Sequence, residues 1–364
     1  MKKESILLIW DRIGDYHYAR VKACEKILQG EVFTADLAGT DALYKWKSIE
    51  HTKHTILSIK SAEEPDFMNR FFAFRKIIKS HSITTVAMPY GRSEYHVFLL
   101  YARLKGIRTI VFSESWYSRG LVKDFLKSIL LKTLGSKFFV SGQRAHHHFT
   151  TNYNIHSDKI KIGYSVVDNE HFIQASNNTS PSDKKYVICV ARYSEEKNLE
   201  FLIRCFATSV LSEKYTLLII GDGPQRSVLN QLIESLALTD KVKLTGWVSY
   251  KELPALYASS ACFILPSTFE PWGLVVNEAM AASLPILLSR ACGCCPELLE
   301  DDRNGFVFDP LNSLECIAVF NRFAELSDED IHQFGTHSKK LIDQLSPQTW
   351  ARVIEEITHD TVQI

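Results

Sequence analysis

The sequence predicts an α/β fold in two domains, each a parallel sheet with crossover helices. Three observations carry this reading: the length, an alternation of apolar strand-like runs with helical stretches, and a polar break near the middle. A chain of 364 residues is too long for one ordinary core and suits two domains of roughly 170–190 residues each. In the first half, residues 6–10, 84–88, 109–113 and 138–141 are short apolar runs, followed by helical stretches such as 16–28 and 94–105. In the second half, 186–190, 216–220, 242–244, 261–265 and 285–288 repeat the pattern. Alternation of this kind favours parallel pairing. Residues 169–185 separate the halves, and Asn177-Asn178-Thr179-Ser180-Pro181-Ser182 reads as a linker. A last helix starts at Ser346-Pro347 and carries Trp350, Val353 and Ile357 on one stripe. The expected organisation is a first domain over 1–168, a second over 182–345 and a closing helix over 346–364.

Composition narrows the function classes. A hydrophobic content of 46% with 23% charged residues is that of an ordinary soluble globular protein. No apolar stretch approaches the ~20 residues that a membrane span requires. Lys2-Lys3 before an apolar run imitates a secretion signal, but charge resumes at Asp11-Arg12, so a first buried strand is the better reading. The eight cysteines sit mostly inside apolar segments and read as reduced core thiols of a cytoplasmic protein. Net charge is zero, yet residues 1–165 hold 26 Lys and Arg against 15 Asp and Glu, and the remainder holds 16 against 27. A basic half joined to an acidic half implies two domains with different partners. Neutral net charge and the lack of an aromatic-basic strip speak against nucleic acid.

The most informative segment is Ser267-Thr268-Phe269-Glu270-Pro271-Trp272-Gly273-Leu274-Val275-Val276-Asn277-Glu278. An apolar run ending at Pro266 precedes it, and a buried helix is expected after Gly273. Glu270 then stands on the loop before that helix and Glu278 about one and a half turns inside. The N–H groups of Gly273, Leu274 and Val275 open the helix, an end that attracts phosphate. Two acceptor-only carboxylates beside such an end suit a ligand with both phosphate and sugar hydroxyls. A nucleotide sugar is such a ligand.

This segment resembles the Glu-x7-Glu signature of the retaining GT-B glycosyltransferases, family 4 in particular. Val190-Ala191-Arg192-Tyr193-Ser194-Glu195-Glu196-Lys197-Asn198 is similar to that family's Arg/Lys diphosphate segment. Ile219-Ile220-Gly221-Asp222-Gly223-Pro224 resembles its glycine turn, Gly246-Trp247-Val248 its nucleotide-base loop, and Cys292-Gly293-Cys294-Cys295-Pro296-Glu297 with Asn304-Gly305 its late loop. The resemblance implies two Rossmann-like domains with parallel sheets facing a cleft, the closing helix crossing back to the first domain. It implies a clamp of Arg192 and Lys197 on the departing diphosphate, where developing charge must be neutralised. Without that role, the pair would be solvated surface charges. It also implies Glu278 on the ribose diol, Glu270 on donor-sugar hydroxyls, and Gly221 and Val248 lining the nucleotide. Gly14, in the first strand-to-helix turn, is implied to approach the donor phosphates. Many members carry a histidine after the strand matching residues 109–112; here Ser113-Glu114-Ser115-Trp116 stands there, and Glu114 or His17 is left to orient the reaction.

Other signals are weaker. His146-His147-His148 are adjacent on a helix, point about 100° apart and cannot share one ion. Cys292-x-Cys294-Cys295 lacks a second ligand pair at zinc spacing. Gly221-x-Gly223 has no third glycine at the dinucleotide spacing, which counts against NAD.

The expected activity is retaining, metal-independent transfer from a UDP- or GDP-sugar to a glycan or lipid-linked glycan, with no cofactor. The resemblance implies attack by the acceptor hydroxyl on the face the diphosphate leaves, the diphosphate taking the proton. The alternatives are a nucleotide-sugar epimerase, a phosphorylase on the same fold, or a weakly catalytic binding subunit of a transferase complex. On the acceptor side, residues 66–79 mix four cations with four phenylalanines, and 121–137 place Lys123, Lys127, Lys132 and Lys137 among Leu126, Ile129, Leu130, Leu131 and Leu134. Such segments lie on anionic bilayers, each cation contributing about 1 kcal/mol, or pack as ordinary amphipathic helices on the first sheet. The membrane reading predicts a peripheral enzyme at the cytoplasmic face, extending a lipid-linked precursor of a surface polysaccharide.

Overall fold

A computed structural model of the chain describes residues 4–40, 52–176 and 186–359. It divides into unit 1, Met1–Val166 with Pro347–Ile364, and unit 2, Val167–Ser346.

Unit 1 is built on strands β1 (Ser5–Trp10), β2 (Glu31–Asp36), β3 (His54–Ile56), β4 (Thr85–Pro89), β5 (Arg108–Ser113), β6 (Lys137–Val140) and β7 (Ile160–Ile162). They pair in the order β3-β2-β1-β4-β5-β6-β7, every pair parallel. Strand β1 is buried along its whole length, as a parallel strand covered on both faces must be. Helices α1 (Asp15–Ile27), α2 (Phe67–Ser80), α3 (Ser93–Leu104), α4 (Leu121–Leu134) and α5 (Gln143–Thr151) alternate with the strands. The short or acid-bounded strands β2, β3 and β7 were not expected from the sequence.

Unit 2 opens with α6 (Asn169–Ser176), so part of the expected break is helix, packed on the helices Leu253–Ala258 and Leu274–Ala281. The linker proposed over 177–182 lies outside the described residues. Strands β8 (Tyr186–Val190), β9 (Thr216–Ile220), β10 (Val242–Gly246), β11 (Ser260–Leu265), β12 (Ile286–Ser289) and β13 (Gly305–Phe308) form a parallel sheet in the order β10-β9-β8-β11-β12-β13. Around it stand α7 (Leu199–Ala207), α8 (Leu211–Lys214), α9 (Arg226–Ser235), α10 (Leu253–Ala258), α11 (Leu274–Ala281), α12 (Cys295–Leu298), α13 (Ser313–Ala324) and α14 (Asp328–Ile342). The chain then returns to unit 1 as α15 (Pro347–His359), which packs along α1. The helical stripe explains the docking. Trp350 is fully buried, with ring centroids 5.5 Å from Phe139, 5.8 Å from Phe112 and 6.4 Å from Trp10.

Helix α4 departs from the usual pattern. Its buried residues are Asp124, Ser128, Leu131 and Leu134, while Leu121, Val122, Phe125, Leu126 and Ile129 are 50–88% exposed. Two polar side chains turn inward because the chain itself satisfies them. Asp124 accepts from the Ser118 hydroxyl at 2.5 Å and from the Arg119 N–H at 3.2 Å, and Ser128 donates to the Tyr153 carbonyl. The Leu126 and Ile129 of the sequence reading therefore face water, and only Leu131 and Leu134 of that set are fully buried.

Candidate functional site

In unit 2 the strand order reverses between β8 and β11, the switch point outside whose carboxyl ends open α/β sheets bind ligands. The loop after β8 carries Arg192 and Lys197; the loop after β11 carries Glu270. Asn198, in the left-handed conformation at φ 57°, ties the first loop to its neighbours by donating to the carbonyls of Pro266 at 3.3 Å and Pro310 at 2.9 Å. The Thr268 N–H donates to the Glu196 carbonyl at 2.9 Å. So stitched, the loops bring Lys197 Nζ onto Glu270 Oε2 as an ion pair, both side chains mostly buried. The sequence reading named both residues for separate roles and did not foresee the pair.

Arg192 is exposed, and its guanidinium makes no hydrogen bond or ion pair among the described residues. Its loop is held by the glycine turn. Gly221 has φ +138°, and a Cβ there would stand 2.0 Å from the Ala191 carbonyl oxygen; one on Gly223 would stand 2.5 Å from that of Tyr193. The Tyr193 N–H donates to the Asp222 carbonyl at 3.0 Å, and the Gln225 N–H to the Tyr193 carbonyl at 3.1 Å. Close backbone approach thus explains both glycines as a brace for the Arg192 loop. In the same loop the Ser194 hydroxyl, 2.6 Å away, holds the Glu196 carboxyl below the usual carboxylate range.

Gly273 opens α11 at φ +102°, and among the described residues the N–H groups of Gly273, Leu274 and Val275 have no partner outside the helix. Trp272 is buried and its indole N–H donates to Asn277 Oδ1 at 2.9 Å, which fixes the entry into the helix. Glu278 is fully buried inside that helix and accepts at 2.7 Å from the Tyr257 hydroxyl of α10. Tyr257 was missed by sequence reasoning, and only the helical placement of a tyrosine before β11 could have signalled it. The late loop backs the glutamate loop from behind. The Gly293 N–H donates to the Glu270 carbonyl at 2.9 Å and the Cys294 N–H to that of Trp272 at 3.3 Å. Burial first, and the Cys292 sulfur next, push the Cys294 thiol well up, so the group behind Glu270 is uncharged. None of the eight cysteines is in a disulfide, and seven are buried. Val248 is half-buried after β10, beside Trp247 at 63% exposed. No group of His, Cys, Asp or Glu among the described residues is arranged to hold a metal.

Nine of the ten residues singled out for the site therefore lie in unit 2. Gly14 lies in unit 1, before α1, and its N–H is spent on His17 Nδ1 at 3.1 Å. Burial, then the charge of Arg20, holds His17 well below its usual range, and its ring rests on Trp10 at 4.7 Å. Glu114 accepts from the Ser165 hydroxyl at 2.5 Å.

Residues 171–341 match the family described as glycosyl transferases group 1. An uncharacterized glycosyltransferase of Methanocaldococcus jannaschii is 31% identical over 214 residues, 56% of this chain and 54% of that one. The O-antigen chain mannosyltransferase RfbU of Salmonella typhimurium is 32% identical over 138 residues, 38% of this chain and 37% of its own. The chain thus spans about half, or less, of these relatives' length. Among solved structures, HepE of Anabaena in complex with UDP and glucose superposes with a TM-score of 0.75 at 16% identity, over 98% of this chain and all of that one. The fold is GT-B.

Proposed function

We propose that the chain, whose residues 171–341 match the glycosyl transferases group 1, is a retaining glycosyltransferase moving a sugar from a UDP- or GDP-sugar to a glycan or lipid-linked glycan. The observation that carries this is the unpaired Arg192 beside the Lys197–Glu270 pair, on the carboxyl edge of the unit 2 switch point. An unpaired cation there supports anion binding. In this reading Arg192, Lys197 and the N–H groups of Gly273, Leu274 and Val275 hold the diphosphate. Lys197 is drawn partly from Glu270 to the phosphate as the bond breaks, and Glu270 accepts from the donor-sugar hydroxyls. Glu278 takes the ribose diol and the loop of Val248 the base. The anomeric carbon loses its bond to the β-phosphate oxygen and gains one to the acceptor oxygen on the same face. The acceptor's proton passes to the departing phosphate, and no metal enters.

The test is a panel of UDP- and GDP-sugars scored by thermal midpoint, with and without EDTA. A specific donor at a hundred times its Kd stabilises by about 2.7 kcal/mol, a rise of about 5–10 °C. No rise with any donor overturns the transferase reading; isomerised nucleotide sugar makes it an epimerase. Turnover abolished by EDTA and restored by magnesium overturns the metal-independent part.

An acceptor at an anionic membrane surface is supported by α4. Its outward row of Leu121, Val122, Phe125, Leu126 and Ile129 is flanked by the exposed Lys123 and Lys132, in a half of the chain with 26 Lys and Arg against 15 Asp and Glu. That combination suits the headgroup boundary of a bilayer rich in anionic lipid. No helix among the described residues is long and apolar enough to cross a membrane. A precursor of a surface polysaccharide is the acceptor class we favour, on the likeness to an O-antigen chain mannosyltransferase. Co-sedimentation with liposomes should rise with anionic lipid and fall with salt, and Phe125→Ser with Leu126→Ser should abolish it. Equal recovery in the supernatant at every composition overturns the membrane reading.

A further inference from the structure

The late loop holds three of the eight cysteines, Cys292, Cys294 and Cys295, and the transferase reading gives none of them a role. Two of the three stand at the ends of a turn. The Cys295 N–H donates to the Cys292 carbonyl at 3.1 Å. Cys294, at φ −79° and ψ −8°, has the dihedrals of the third residue of a type I turn. Such a turn brings its first and fourth Cα to within about 7 Å, and bridged cysteines have their Cα about 4.4–6.8 Å apart. Cys292 and Cys295 therefore stand at disulfide spacing.

Access separates this pair from the other thiols. Cys292 and Cys294 are fully buried, whereas Cys295 is the one cysteine of the eight that is partly exposed. Burial pushes the Cys294 thiol well up, so its thiolate, the form that attacks, is scarce. A second pair, Cys205 on α7 and Cys316 on α13, shares a hydrogen bond between thiols, but neither is more than 1% exposed. An oxidant arriving from solvent meets Cys295 first.

The turn is also tied to the glutamate loop. Cys292 and Glu270 form an isolated parallel β-bridge. The Gly293 N–H donates to the Glu270 carbonyl at 2.9 Å, and the Cys294 N–H to the Trp272 carbonyl at 3.3 Å. Behind the turn, the Cys292 N–H donates to the Ser289 carbonyl at 3.0 Å, at the end of β12. The two cysteines thus flank the two N–H groups that hold residues 270 and 272. A covalent bond between the ends of the turn re-aims the peptide groups between them. The tie to Trp272, already long, has the least to spare.

We propose that Cys292 and Cys295 form a reversible disulfide that loosens the hold of the late loop on Glu270, so that oxidation weakens the donor site. The oxidant is a small-molecule disulfide of the glutathione type. Cys295 attacks one of its sulfurs and expels the first thiol; Cys292 then attacks the Cys295 sulfur and expels the second. Two protein thiols are oxidised to one S–S bond, the small disulfide is reduced to two thiols, and the two cysteine protons pass to them. Excess thiol runs both steps backwards. The effect on the donor site rests on the transferase reading; the disulfide and its effect on the loop do not.

In the experiment the full chain is incubated with glutathione disulfide, quenched with N-ethylmaleimide in denaturant and digested with trypsin. Residues 291–303 leave as one peptide, which should carry three maleimides from the reduced chain and one, on Cys294, from the oxidised chain. Dithiothreitol should restore all three. Hydrogen exchange reads the loop: the amides of Gly293 and Cys294 should exchange about fivefold faster after oxidation, the scale of one lost hydrogen bond. The affinity for whichever of UDP and GDP shifts the thermal midpoint of the reduced chain should fall by about the same factor. Cys295→Ser, at the partly exposed position, is the variant least able to disturb folding. It should keep the reduced midpoint and lose every response to oxidation.

The proposal is overturned if the peptide keeps three maleimides, if oxidation stops at a mixed disulfide on Cys295, or if Cys205 and Cys316 close instead. It is equally overturned if Cys295→Ser still responds, or if the crosslink forms and exchange stays as it was. A faster-exchanging loop with unchanged nucleotide affinity removes the effect on the donor site alone. A reduced chain that binds neither UDP nor GDP removes the transferase reading, and the peptide and the exchange still decide the disulfide.

Discussion

In unit 1, Arg92 and Asp11 bridge the two loops that leave the sheet where its strand order reverses. In unit 2, Lys197 and Glu270 bridge the loops at the corresponding reversal. The positions are equivalent in topology, but the side chains around them are engaged differently. Around the unit 2 pair stand an unpaired arginine and a helix end with unspent N–H groups. Around the unit 1 pair Arg70 is taken up by Glu94 and two backbone carbonyls, Arg92 bonds through Nε and Nη1 only, and Lys60 stands 3.9 Å from Asp66. Parallel α/β architecture supplies a crevice in both cases. Which ligand each crevice takes is decided by a few loop side chains, and chiefly by whether their cations are already occupied.

The largest effect that would break this comparison is at Lys197. Lys197→Ala should slow the chemical step at least ~100-fold, because leaving-group charge goes unneutralised. The matched change in unit 1, Arg92→Ala, should leave the UDP-induced thermal shift as it is. Single-turnover rates decide whether Lys197 acts on the diphosphate or merely holds Glu270. Recovery of the Lys197→Ala rate on adding Glu270→Gln would reduce the pair to a structural tie and end the contrast between the two switch points.

Glycine geometry gives the next test. Gly221→Ala forces a Cβ to within 2.0 Å of the Ala191 oxygen at a φ of +138°. Backbone strain of this kind costs about 1–3 kcal/mol, and the displaced Arg192 loop should lose donor affinity at the same time. A variant with unchanged midpoint and unchanged UDP binding would show that the brace is dispensable.

At the nucleotide end, Glu278→Ala should weaken donor binding by about 10–100-fold, the loss of one to two charge-assisted bonds. Tyr257→Phe removes the 2.7 Å bond that orients the carboxylate, with a longer 3.5 Å bond to the Val275 carbonyl, and should cost about fivefold. Glu270→Ala should lower turnover more than affinity. Full activity in both glutamate variants would remove the site from this edge of the sheet.

Legibility in the sequence followed chain distance. Strands β1, β4, β5, β6, β8, β9, β10, β11 and β12 announced themselves as apolar runs. β3 and β7 are three residues each, too short to carry a periodicity, β13 opens on a glycine, and β2 starts and ends on an acid; their pairing with neighbours holds them. The site's parts were legible as motifs, but the Lys197–Glu270 pair joins residues 73 positions apart and depends on stitches from Asn198 and Thr268. Helix α4 misled for a different reason. A leucine-rich run with lysines reads as one apolar face, whereas Asp124 and Ser128 claim the inward side through bonds to backbone that no helical pattern records.

The smallest effect sharpens the comparison at the first loop of each sheet. After β8 the loop presents an open cation; after β1 the Gly14 N–H is closed by a neutral His17. Because burial, with Arg20 next, lowers the folded pKa of His17, the unfolded chain takes up a proton near its ordinary value of about 6.5 while the folded chain does not. Stability is therefore fully present above that pH and falls as pH drops through it, by up to about 1.4 kcal/mol per pH unit until the folded group titrates. His148, also lowered by burial, adds to the same slope, so a single profile is not diagnostic. The difference between two profiles is. His17→Asn keeps an acceptor for the Gly14 N–H and removes the titration, so its midpoint should fall less than the parent's between pH 7.0 and 5.5. Parallel profiles would mean that His17 charges in place, and that the turn after β1, like the loop after β8, can carry a cation.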